Sequence, residues 1–189
     1  MAEFIQKHKL FSFYSTLMIV VVLIAIFAPW LAPGDAFSSN LSQALQAPSS
    51  QHWFGTDKLG RDVLSRIIYG TQLSLFMGVS IVVIMVSIGT IIGAVAGYFG
   101  GKIEMVLMRL ADIMLSFPGV VLAIAIAGIL GGSIVNTIIA LSVVGWAKYA
   151  RLVRSMTLKV RGEEYVTAAV MMGASTTTIL RRHIIPNIL

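Results

Sequence analysis

Long apolar runs separated by short polar stretches dominate this chain. Residues 10–34, 67–101 and 113–147 contain no Asp, Glu, Lys or Arg and are 25, 35 and 35 residues long. A bilayer core of ~30 Å takes ~20 helical residues. The first run therefore holds one span, and the second holds one long span plus an interfacial turn. As a single helix the third would be roughly 50 Å long, too long for one crossing. The run Gly-Ile-Leu-Gly-Gly-Ser at 128–133 breaks it into a hairpin. The pattern predicts about four membrane helices, near 11–32, 72–98, 105–130 and 134–151, in an all-α polytopic membrane protein.

Polar positions mark the connections. Residues 1–10 form an N-terminal tail. The segment 33–71 starts with a Ser-, Gln-, Ala- and Pro-rich stretch. Gly55, Asp57 and Gly60 then signal a turn. Val63, Leu64, Ile67 and Ile68 fall at i, i+1, i+4, i+5, one stripe of a short interfacial helix. Trp53 and Phe54 beside it suit the water–lipid boundary. In the second span Gly89, Gly93 and Gly97 share one helix face, which lets a neighbouring backbone come close. In the third, Arg109 and Asp112 are three apart and can pair, as a structural pair or as part of a gate. Pro118 removes a backbone donor and kinks the helix. Lys148, Arg151 and Arg154 follow at three-residue spacing at the end of the fourth span.

The tail is different in character. Tyr165, Ala168, Ala169 and Met172 fit i, i+3, i+4, i+7 and give one small, shallow apolar face. Glu163 and Glu164 lie in the first turn, where the helix dipole favours acids. Gly173 suits a C-terminal stop, Ser175 or Thr176 an N-cap, and Pro186 closes the second short helix. A helix pair this small is marginal alone. It either docks into a groove on a partner or packs on its own transmembrane bundle.

Composition agrees with the membrane reading: 57% hydrophobic and 12% charged, with mean hydropathy +0.89. The first run is too long, and too poor in a small-residue cleavage site, for a removed signal peptide. The net charge is +6, and seven Lys and Arg against two Glu fall within 147–189. By the positive-inside rule the N-terminus and the tail are cytoplasmic, so the charge reports topology and not a nucleic-acid partner. With no cysteine, disulfides, thiolate metal sites and cysteine nucleophiles are excluded. His8, His52 and His183 lie far apart in sequence and outside the expected spans. No catalytic residue, metal site or cofactor is expected.

The tail resembles the "EAA" coupling loop of binding-protein-dependent ABC importers: Ala168-Ala169, Gly173 and Pro186 keep its register. Thr167 stands where the acid is usual and His183 where isoleucine is usual; both departures suit the peptide/nickel branch (the oligopeptide and dipeptide permease C type). Phe54-Gly55-Thr56-Asp57, Gly60-Arg61-Asp62-Val63-Leu64-Ser65-Arg66, Gly97-Tyr98-Phe99-Gly100-Gly101 and Arg109, Asp112, Phe117-Pro118 are similar to that branch as well.

The resemblance implies a type I permease fold over 72–189, with a cytoplasmic coupling loop at 155–187 that includes a coupling helix. It implies a multi-pass protein of a bacterial or archaeal cytoplasmic membrane carrying peptides or nickel. Its partners would be a second, non-identical permease subunit, two cytoplasmic ATPases and an extracytoplasmic substrate-binding protein. Docking to an ATPase would fall on Glu164, Tyr165, Ala168, Ala169, Met172, Gly173, Ala174 and Ser175. Family members continue beyond the loop, so ending at Leu189 reads as an incomplete permease, a fragment or truncated frame. The alternative is a non-transporting scaffold or remnant that docks an ATPase.

Overall fold

A computed structural model describes residues 9–188, so most of the expected N-terminal tail lies outside the described residues. Among them no β-strand forms, and the one isolated bridge joins Thr56 and Asp62. The chain is all-helical, as expected. It divides into two compact units, one ending at Gly78 and one starting at Val79.

In the first unit, α1 (Lys9–Ile26) is apolar on every side and buries only Ala25, as befits a helix surrounded by lipid. The expected span 11–32 is shorter than that, because a separate one-turn helix follows at Ala28–Leu31. Its Pro29 sits in the first turn, where a missing N–H costs nothing. The polar segment then folds on its own hydrogen bonds. The Asp57 carboxylate accepts from the backbone N–H of Leu59 at 2.8 Å and of Arg61 at 3.0 Å, and it pairs with the Arg61 and Arg66 guanidinium groups. The Arg61 N–H leads the bonds that hold this carboxyl far below the usual carboxylate range. Gly60 has φ +72, and a Cβ there would collide with the Asn40 carbonyl oxygen, so this turn requires glycine.

Asp62 closes the segment and starts the next helix. It accepts the Ser65 N–H at 2.7 Å, an N-cap bond, and its other oxygen meets His52 Nδ1 at 3.0 Å. Burial works to raise this carboxyl, yet the Ser65 and His52 bonds hold it below its ordinary value. The helix it caps, α2, runs from Val63 to Phe99 without a break. The expected interfacial helix and second span are thus one element, ~55 Å long at 1.5 Å per residue. No proline or cap interrupts it between the two expected elements. Thr71 Oγ1 simply bonds back to the Ile67 carbonyl at 2.9 Å.

In the second unit, α3 (Gly101–Ser116) and α4 (Gly119–Leu130) meet at a 90° bend. Phe117 is extended (ψ 145) because it precedes Pro118. The expected third span is therefore a sharply broken pair, stronger than a kink. The expected hairpin break is present: Gly131 adopts φ 90, Ser133 caps α5 (Ile134–Arg161) through the Asn136 N–H, and Asn136 Nδ2 donates to the Leu130 carbonyl.

Among the described residues two helices qualify as spans by length and apolarity, α1 and α2, or three if the α3–α4 pair is one broken span. About four were expected. The difference is α5, whose every 18-residue stretch contains both Lys148 and Arg151.

Two clusters form the core of this unit. Ala111, Trp146, Ala147 and Ala150 make the first, and Ala94, Val153, Val166, Ile179, Ile184 and Ile188 the second. The glycines of α2 let α5 approach. A Cβ at Gly89 would lie 2.5 Å from Tyr149 Cβ, one at Gly93 2.5 Å from the Ala150 carbonyl oxygen, and one at Gly97 2.7 Å from Thr157 Cβ. These are contacts that a Cβ could not share without moving backbone.

Candidate functional site

The tail helix α6 (Glu164–Met171) starts at Glu163 in extended conformation and has Glu164 in its first turn. It ends at Gly173, with φ +79. The Ala174 N–H returns to the Ala169 carbonyl at 3.1 Å and the Gly173 N–H to Val170 at 3.0 Å, the paired bonds of a Schellman stop. Ser175 then caps the next turn, accepting the Thr178 N–H at 3.3 Å. Both caps fall where the sequence placed them.

Pro186 does not close the run. Thr176–Ile179, a π-helical turn Leu180–Ile184 and Ile185–Ile188 follow one another, with Pro186 inside the last. Proline has no N–H to give to residue 182, and the wider turn directs the Ile185 N–H to the Leu180 carbonyl.

The helix has two faces. Val166 and Ala169 are buried, 2% and 3% exposed, and Val166 packs into the cluster of Ala94, Val153, Ile179 and Ile184. Met171 and Met172 are each 82% exposed, and Tyr165 is 44% exposed. Glu164, Ala168, Gly173 and Ser175 are exposed too, and Ala174 is half-buried against the same core. This corrects one expectation: Ala169 is not on the outer face with Ala168. Val166 holds the helix to its own bundle, with Ala169 buried three residues on. Val170 and Met171, which the sequence reading left out, belong to the outer surface. Tyr165 also stacks at a tilt on His183, ring centroids 6.3 Å apart, which ties α6 to the π-helical turn.

A second polar feature joins α3 to α5. Glu104 pairs with Arg154, and Asp112 with Arg151, along a groove of about 480 Å³. The expected Arg109–Asp112 pair is replaced by this interhelical one; Arg109 is exposed on α3. Being half-exposed, each pair contributes at most about 1 kcal/mol. Glu104→Arg is expected to lower the melting temperature of the purified protein, because it sets two guanidinium groups face to face. Adding Arg154→Glu should restore most of the loss. A double variant no better than the single one would remove the pair as a clamp.

Comparison with known proteins supplies context for this geometry. Residues 89–189 match the family model described as "Binding-protein-dependent transport system inner membrane component", and residues 5–48 match "N-terminal TM domain of oligopeptide transport permease C". The dipeptide transport system permease protein DppC of Alkalihalophilus pseudofirmus is 44% identical over 183 residues, 97% of this chain and 60% of that protein. The oligopeptide transport system permease protein OppC of Bacillus subtilis is 37% identical over 96% of this chain and 60% of its own length. The glutathione transport system permease protein GsiD of Escherichia coli is 44% identical over 89% and 56%. The chain thus spans about 60% of the length of the curated relatives it matches.

Proposed function

We propose, for a chain that belongs to the family of inner membrane components of binding-protein-dependent transport systems, a role as one permease of an ATP-driven importer of short peptides. In this reading the helices α3, α4 and α5, with the second half of α2, line one side of the path. Helix α6 is the lever that receives motion from a cytoplasmic ATPase. One observation carries it: α6 buries Val166 and Ala169, while Met171 and, at its C-cap, Met172 are left 82% exposed. A rigid helix with an unpartnered apolar face can be pushed and can transmit the push to the core beneath it, switching the path between its two states.

Peptides are favoured as cargo by the names of the relatives, which concern dipeptides, oligopeptides and glutathione. Nickel finds no support among them. A second permease subunit would complete the path, a substrate-binding protein would deliver cargo outside, and ATP would be hydrolysed on separate chains. The basic tail on 147–189 favours a cytoplasmic position for α6.

Uptake of a radiolabelled dipeptide by cells is the test. Deleting the gene that encodes this chain should bring uptake down to background, and restoring it should return it. Unchanged uptake of dipeptide, tripeptide and glutathione after deletion would overturn the reading and leave a scaffold role.

A further inference from the structure

A separate feature lies between α2, α3, α4 and α5. Met85, Leu115, Phe117, Val120 and Val144 line a cleft of about 470 Å³, with Lys148 at its edge. That is within the ~300–1,000 Å³ range of small-molecule sites. Its walls carry hardly any polar groups. Gly145 contributes floor space, which the Met85 side chain covers; methionine is the side chain best able to move aside for an occupant.

The cation at the edge is unusual among its neighbours. Lys148, Arg151 and Arg154 follow each other every three residues on α5. Arg151 and Arg154 are neutralised by Asp112 and Glu104 of α3. Lys148 is exposed and makes no ion pair among the described residues. The unneutralised charge is thus the one beside the apolar cleft.

We propose that this cleft holds an anionic phospholipid, with one acyl chain between Leu115, Phe117, Val120 and Val144 and the phosphate on Lys148. Charge and apolarity together select the occupant. A peptide would bury its amide groups against walls that offer them no hydrogen bonds, which is costly. An acyl chain has none to satisfy. A lysine beside an apolar cleft can lay its stem along the apolar surface and reach a phosphate with its ammonium. The site is distinct from α6 and does not depend on the cargo.

Native mass spectrometry of the detergent-purified permease complex provides the test, with phosphatidylglycerol or phosphatidylcholine added at matched concentrations. The wild type should retain phosphatidylglycerol preferentially. Lys148→Gln should weaken that retention about fivefold, as expected for one lysine near a lipid phosphate, and Lys148→Arg should restore it. Val144→Trp, which fills the cleft and leaves the charge, should weaken retention of both lipids. Equal retention of the two lipids by the wild type, or no change in Lys148→Gln, would overturn the proposal. So would a cross-link from position 148 to another permease subunit in place of lipid. Because lipid retention is read without transport, failure here would leave the permease reading untouched.

Discussion

Gly93→Leu is expected to remove the protein from the membrane fraction almost completely. A Cβ at this position would stand 2.5 Å from the Ala150 carbonyl oxygen and 2.8 Å from Val153 Cβ. The first of these is backbone, so no side chain can rotate away, and α2 and α5 must separate along the seam. Overpacking of this kind costs ~1–3 kcal/mol where side chains can adjust, and here a leucine adds three more carbons to a contact that is already closed. Separation would also open both apolar clusters, since Ala94 and Val153 belong to one and Ala147 and Ala150 to the other. The control is Gly78→Leu, because a Cβ at Gly78 meets nothing within 4 Å. Quantitative immunoblotting of membranes should find Gly78→Leu near wild type and Gly93→Leu strongly depleted. Equal amounts of the two would show that the glycine seam does not hold this bundle together.

The second large effect concerns α6, and it separates docking from folding. Met172→Asp places a charge on a side chain 82% exposed, so the helix and its Schellman stop should remain and the protein should reach the membrane in normal amount. Peptide uptake should nevertheless fall at least about tenfold, because a charge set into a partner's apolar groove removes a hot-spot contact worth ~2 kcal/mol. Ala169→Asp should behave in the opposite way. That position is 3% exposed, and an unpaired buried carboxylate there should deplete the protein itself. If Met172→Asp transports normally, or is depleted as severely as Ala169→Asp, the outer face is not a docking surface.

Much of the architecture was legible because its signals are local. The four-residue glycine spacing, the break around Gly131 and Ser133, and the caps at Gly173 and Ser175 each depend on residues a turn or two apart. What the sequence concealed depends on distant partners. Asp112 has Arg109 three residues away, yet it bonds Arg151, 39 residues on, because α5 lies against α3. Ala168 and Ala169 fit the same apolar face by spacing, but Ala169 is buried with Val166, which packs on the isoleucines of the following run, while Ala168 is exposed. Pro186 is a helix stop in isolation, and a π-helical turn absorbs it here. The continuous α2 is the converse case: the expected interfacial helix and second span are one element, because no proline or capping group separates them.

Because the chain contains no cysteine, a single Met172→Cys substitution gives a cross-linking site without background. The most direct test of the account is to attach a short bifunctional reagent to that residue in membranes holding the assembled transporter, with and without ATP, and to identify the product by mass spectrometry. The account predicts a cross-link to the cytoplasmic ATPase whose yield changes when ATP is added. A residue 172 that links only to its own chain or to lipid, while peptide uptake proceeds, would contradict it.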